Sequence, residues 1–135
     1  MSKTNLQQQI TVHALPSKVW KVLTNPGYVN QYLYKGDISS DWTEGNSIHL
    51  IAENKEPTSL GIVLQSDPGM FLKFSLQEEN SANRIIISYE LIIAGDGVEI
   101  KMKCEGFMAS DQEYLLRVQQ AKLIVQKIKW LAEYS

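Results

Sequence analysis

One cysteine, two histidines and four prolines are all that 135 residues contain of three residue types that often carry cross-links, metals or turns. A lone Cys104 excludes an intramolecular disulfide, and two histidines without a second cysteine leave no cluster at zinc-ligand spacing. No metal site and no cofactor are therefore expected, and stability must come from packing. Positive charge is scarce as well: 13 Lys and Arg against 15 Asp and Glu give a formal net charge of −2, without the basic footprint that nucleic acid requires. No apolar run approaches the roughly 20 residues of a membrane span, and the opening "MSKTNLQQQI" lacks the apolar stretch of a signal peptide. The expectation is one soluble cytoplasmic domain over residues 1–135, with no stable membrane insertion.

Catalytic signatures are missing too. Neither G-x-S-x-G nor a P-loop occurs. His13 and His49 fall on the polar side of strand-like alternations, and Cys104 falls on an apolar side, where a thiol's pKa rises and its reactivity drops. Asp37, Asp41 and Glu44 flank a turn and suit solvation alone. No catalytic residue is assigned, and the residues do not demand an enzyme.

What is present is periodicity. Gln8 to His13 alternates Ile10 and Val12 with polar residues, the period of a half-buried strand. A helix is predicted from Pro16, with Val19, Trp20 and Leu23 on one face; Pro26 ends it by disfavouring helical dihedrals at Asn25. Gly27 to Leu33 offers Val29, Tyr32 and Leu33 as a second short helical face. Six strands follow near Ile38–Trp42, Ser47–Ala52, Ser59–Ser66, Met70–Gln77, Arg84–Ala94 and Val98–Glu105, separated by "TEGN", "NKEP", "DPG", "EENSAN" and "GDG".

The last hairpin allows a finer test. A two-residue turn at Gly95 and Asp96 pairs Ile93 with Val98, Leu91 with Ile100, Tyr89 with Met102 and Ile87 with Cys104, an entirely apolar face. The reverse face then sets Glu90 against Lys101 and Ser88 against Lys103. A long terminal helix begins at the capping box "SDQE", Ser110 to Glu113. Tyr114, Val118, Ala121, Val125, Ile128 and Ala132 form the stripe expected to lie on the sheet. Leu116, Leu123 and Trp130 recur every seven residues on another side, either gripped by loops or exposed as a surface for a homodimer or partner.

The order strand, two short helices, six strands and one long helix resembles the START-like superfamily, the helix-grip fold of the birch pollen allergen and the polyketide cyclases. "LPSKVWKVLTNP" (15–26), "SDWTEGNSI" (40–48), "GIVLQSDPGMFLKF" (61–74) and "ISYELIIAGDGVEIKM" (87–102) are similar, in order, to the branch named for the activator of the heat-shock protein 90 ATPase. Tyr32 and Tyr114 stand where that branch usually has tryptophan. The activator also carries a separate N-terminal domain, for which this chain is expected to have no room. The resemblance implies an α+β fold: a seven-stranded curved antiparallel sheet, two short helices after the first strand, and the long C-terminal helix across the concave face.

The fold in turn implies a space between sheet and helix. Its expected walls are Met70, Leu72, Phe74, Tyr89, Met102 and Cys104 from the sheet and Tyr114, Val118 and Val125 from the helix. Tyr32, Tyr89 and Tyr114 would supply hydroxyls. The same residues would serve equally as a solid core. Three roles follow: non-catalytic binding of a small hydrophobic or amphipathic molecule; a protein-interaction or co-chaperone-like module acting through Leu116, Leu123 and Trp130; and a polyketide cyclase-like enzyme.

Overall fold

The computed structural model describes residues 3–33, 37–51, 58–77 and 83–135. Its elements are β1 (Lys3–Val12), α1 (Pro16–Thr24), α2 (Pro26–Tyr32), β2 (Asp37–Ser39), β3 (Ser47–Ile51), β4 (Thr58–Asp67), β5 (Phe71–Gln77), β6 (Arg84–Ala94), β7 (Gly97–Met108) and α3 (Asp111–Tyr134). One antiparallel sheet runs in the order β1-β7-β6-β5-β4-β3-β2, so the first strand returns to pair with the last. This is the helix-grip arrangement: two short helices near the start and one long helix on the sheet. Ala52, the "NKEP" turn and Glu78 to Ala82 of "EENSAN" lie outside the described residues.

The β6–β7 hairpin has the predicted register throughout, from Ile93 opposite Val98 to Ile87 opposite Cys104, with Glu90 facing Lys101 outside. Gly95 supplies the positive φ, 61°, at the first central position of its turn, where a side chain would be strained. β1 is longer than predicted and begins at Lys3, because β7 offers it a ladder as far as Met108. One irregularity interrupts that ladder: Gly106, at φ 82°, is an extra residue opposite Thr4 and Asn5. It changes the side-chain parity of β7, so that Cys104 and Phe107 both point into the core.

Two strand boundaries differ from the sequence prediction for local reasons. β2 stops at Ser39, short of Trp42, because side chains offer the backbone an alternative to the ladder. Ser40 Oγ accepts the Trp42 N–H at 3.0 Å; the Asp41 carboxylate accepts the Thr43 N–H at 3.0 Å and the Asn46 amide at 2.7 Å. The bond from the Thr43 N–H holds the Asp41 carboxyl below its ordinary range. Trp42 itself adopts φ 56° and buries its ring. β5 begins at Phe71, since Met70 closes the preceding turn with its N–H on the Asp67 carbonyl at 2.9 Å.

α1 starts on Pro16 as predicted, but its inward face is Val19, Val22 and Leu23, with Trp20 only half-buried. α2 is capped by Asn25, whose side chain accepts the Gly27 N–H at 3.0 Å. Ser110 caps α3 by accepting the Glu113 N–H at 3.3 Å, and its hydroxyl donates to the Glu113 carboxylate at 2.9 Å. The 24 residues of α3 divide into two unequal halves. Ala121, Val125, Ile128, Leu131 and Ala132 are buried, whereas nothing between Asp111 and Gln120 is. No helix among the described residues is long and apolar enough to cross a membrane.

The end of α3 is tied to the end of β1 by polar contacts. Glu133 accepts from the His13 backbone N–H at 2.7 Å and from Lys129 Nζ at 2.8 Å, while Lys129 also donates to the Thr11 carbonyl at 2.6 Å. The Lys129 ammonium and the His13 N–H lower the Glu133 pKa. A carboxylate held below its unfolded value of about 4.3 stabilises the fold above that pH, and the stabilisation disappears as pH falls through the depressed folded value. Glu133→Gln should therefore melt below the wild type at neutral pH, with the difference shrinking as pH falls below about 4.3 and vanishing only below the depressed folded value. Parallel melting curves across that range would show that the tie does not contribute.

Candidate functional site

The concave face carries two different environments. Toward β2 and α2 it is solid: Leu72, Phe74 and Tyr89 are 0% exposed. Tyr32 stands edge-on to Tyr89 with ring centroids 6.4 Å apart, Tyr89 lies 6.2 Å from Phe74, and Phe74 meets Trp42 edge-on at 5.2 Å. These four rings fill the region where the sequence predicts a ligand. The Tyr32 hydroxyl is not offered to a cavity either; it donates to the Leu23 carbonyl at 2.8 Å and so fastens α2 to α1.

Under the middle of α3, from Arg117 to Ile124, the face is open. A cleft of about 300 Å³ lies there, floored by Leu6 of β1, Met102 and Cys104 of β7, Ile85 and Ile87 of β6 and Leu76 of β5. Leu33, just past α2, closes one side. α3 roofs it with Ala121 and Ile124 and edges it with Arg117, Gln120 and Leu123. The register explains the floor, since Leu6, Cys104 and Ile87 are consecutive cross-strand partners. Leu6, Cys104, Ile87 and Ile85 retain 5–7% exposure, against 0–4% for the four rings of the aromatic region, so this part of the floor is the slightly more open one. Size and lining fall at the lower end of small-molecule sites, which are mostly apolar with a few polar groups.

Of the residues expected to line a cavity, Met102 and Cys104 line this one. Leu72, Phe74, Tyr89, Tyr32 and Val125 are instead in the packed core. Met70 is 67% exposed on its turn and does not line the cleft, a correction that follows from the turn having taken it out of β5. Val118 and Tyr114 are half-buried outside the cleft; Tyr114 stacks on Phe107 at 6.2 Å and borders a shallow depression with Asn5 and Lys103. Leu116, Leu123 and Trp130 are 51–57% exposed, and Leu123 is also the cleft's edge. As cleft residues, sequence reasoning missed Leu6, Leu33, Leu76, Ile85, Ile87, Arg117, Gln120, Ala121 and Ile124. Leu6 could have been found by continuing the Ile10 and Val12 alternation backward, and Arg117 as a cation set into the Tyr114 to Ala121 apolar stripe.

Two groups have distinctive chemistry. The Arg117 guanidinium carbon sits 5.0 Å from the centre of the Phe107 ring, a cation–π contact at the mouth of the cleft. The Tyr89 hydroxyl is buried and has no hydrogen-bond partner among the described residues; burial pushes its pKa well up. A buried, unmatched hydroxyl costs roughly 1–3 kcal/mol. Tyr89→Phe should thus raise stability by about 1 kcal/mol in denaturant unfolding; a loss of similar size would reveal a partner for the hydroxyl.

The family model of the Activator of Hsp90 ATPase homolog 1-like protein matches residues 13–132. No curated protein matches the sequence. Among solved structures, protein MLL2253 from Mesorhizobium loti superposes with a TM-score of 0.78 at 17% identity, covering 95% of this chain and 96% of that one. The Aha1 dimer from Colwellia psychrerythraea gives 0.75 at 15% identity, with 97% of each chain covered. CalU16 from Micromonospora echinospora gives 0.72 at 16% identity, covering 98% of this chain and 78% of its own. At such identities the likeness is one of fold.

Proposed function

This chain belongs to the family of Activator of Hsp90 ATPase homolog 1-like proteins, and from that membership and the shape of the cleft we propose that it binds a small hydrophobic or amphipathic molecule beneath α3. The observation that carries the reading is the apolar cleft itself, left open where the same sheet is solidly packed a few residues away. Each methylene moved from water onto that floor would contribute about 0.8 kcal/mol. The three tyrosine hydroxyls do not converge on the cleft, so the geometry favours retention of a molecule over its chemical conversion.

Cys104→Phe tests this through the sign of two effects. In an open cleft the larger side chain covers exposed floor, raising the melting temperature of the free protein by about 3–5 °C per kcal/mol gained. It should also abolish the thermal shift given by apolar ligands. In a closed core the same change would overpack and destabilise by about 1–3 kcal/mol, which would refute the reading.

A second reading has its own observation. Leu115, Leu116, Leu123, Trp130 and Tyr134 leave an exposed apolar ridge along α3, and the similar Colwellia psychrerythraea protein is described as a dimer. Self-association through this ridge is consistent with both. Trp130 is 51% exposed there, and its ring meets Tyr134 at 6.2 Å and Lys127 Nζ at 4.9 Å on the same helix. Trp130→Glu should change stability by no more than about 0.5 kcal/mol while converting any dimer to monomer in sedimentation velocity. An unchanged sedimentation coefficient would remove the ridge from the interface.

A further inference from the structure

The outer face of the sheet carries a second depression, independent of the cleft under α3. The alternation that turns Tyr89, Met102 and Cys104 inward turns Lys73, Ser88 and Lys103 outward, and these three stand in one row because Ser88 pairs with Lys73 on one side and Lys103 on the other. Phe71, Glu90 and Lys101 form the next row toward the Gly95 turn. One short side chain among longer ones makes a hollow: Ser88 is its floor, and Glu105 completes the rim beyond Lys103. Ser88 is only 7% exposed, yet its hydroxyl makes no hydrogen bond to any described residue. Polar groups buried to that extent nearly always have a partner, whether protein, water or ion.

The charges around that hydroxyl are not matched to one another. Glu90 stands opposite Lys101, but among the described residues no carboxylate lies within 4.0 Å of Lys73, Lys101 or Lys103. Three ammoniums with two carboxylates leave the hollow one positive charge in excess, on a chain whose net charge is −2. Neighbouring strands lie about 4.8 Å apart, which sets the Lys73 and Lys103 backbones about 10 Å apart with Ser88 midway. Flexible four-carbon stems can bring both ammoniums over the hydroxyl from opposite sides. We propose that this hollow binds a phosphate group, inorganic or in a small monoester, with Lys73 and Lys103 donating to its oxygens from the two sides, Ser88 donating from below and Lys101 adding charge at the rim. A tetrahedral dianion offers oxygens in all three of those directions, which a planar carboxylate does not, and ammonium-to-phosphate bonds are charge-assisted. Phe71 gives the organic part of an ester an apolar seat beside Lys73. Glu90 and Glu105 act against the anion.

The test is an NMR titration of the full chain with inorganic phosphate and with phenyl phosphate, against chloride at matched ionic strength. Both phosphates should saturate, with amide shifts centred on Lys73, Ser88 and Lys103. Lys73→Gln and Lys103→Gln should each weaken binding roughly three- to tenfold and Ser88→Ala several-fold. Glu90→Gln should tighten it, a gain that no loss of structure can produce. Lys122→Gln, which removes the same charge from the exposed side of α3, should leave the affinity unchanged. Melting curves establish that each variant is folded. Tighter binding of phenyl phosphate with added shifts at Phe71 supports an ester as the ligand, and equal affinity supports inorganic phosphate. Shifts that do not saturate at tens of millimolar, that spread over lysines elsewhere, or that weaken as much in Lys122→Gln as in Lys73→Gln overturn the site. The cleft beneath α3 is untouched by any of these results.

Discussion

A curved sheet with one apolar face has to be covered, and here a single helix covers it along only half its length. Ala121, Val125, Ile128 and Ala132 press the second half of α3 onto the sheet, while Glu133 and Lys129 fasten its end to β1. The small alanines permit close approach at this end. Between Arg117 and Ile124 the helix sets Arg117 and Gln120 beside Ala121, and a cleft remains between it and the sheet. Fold and cleft are therefore two results of one distribution of side chains along α3.

The remaining elements support that division. α1 and α2 close the other part of the concave face with Val22, Leu23, Val29 and Tyr32, and the rings of Tyr32, Trp42, Phe74 and Tyr89 interlock behind them. A rigid aromatic block beside an open apolar cleft means that a ligand would meet a preformed floor and would displace water, not side chains. The comparisons agree with the architecture: family membership spans nearly the whole chain, and the similar solved structures superpose over 95% and 97% of it.

Much of this was legible in the residues. Period-two alternation located most strands, and the hairpin at Gly95 could be paired residue by residue because apolar and charged faces had to agree at once. The site was less legible for a physical reason. Alternation reports which side of a sheet a residue faces, but a packed ring and a cavity wall have the same alternation. Phe74 and Tyr89 satisfied the pattern as fully as Ile87 and Cys104, and only what lies over them separates the pairs: the rings of Trp42 and Tyr32 over the first, the cleft over the second. Met70 failed differently, since apolar character cannot show that a backbone has already turned.

The bulge at Gly106 connects these levels. Strands repeat every two residues and helices every 3.6, so a chain passing from β7 into α3 must reconcile two periods within a few residues. One inserted glycine resets the phase: Phe107 turns inward instead of outward and becomes the seat beneath Arg117. The spacing between sheet and helix is thus written as a count of residues, and lineages that gain or lose one here would inherit a differently lipped cleft on an unchanged scaffold.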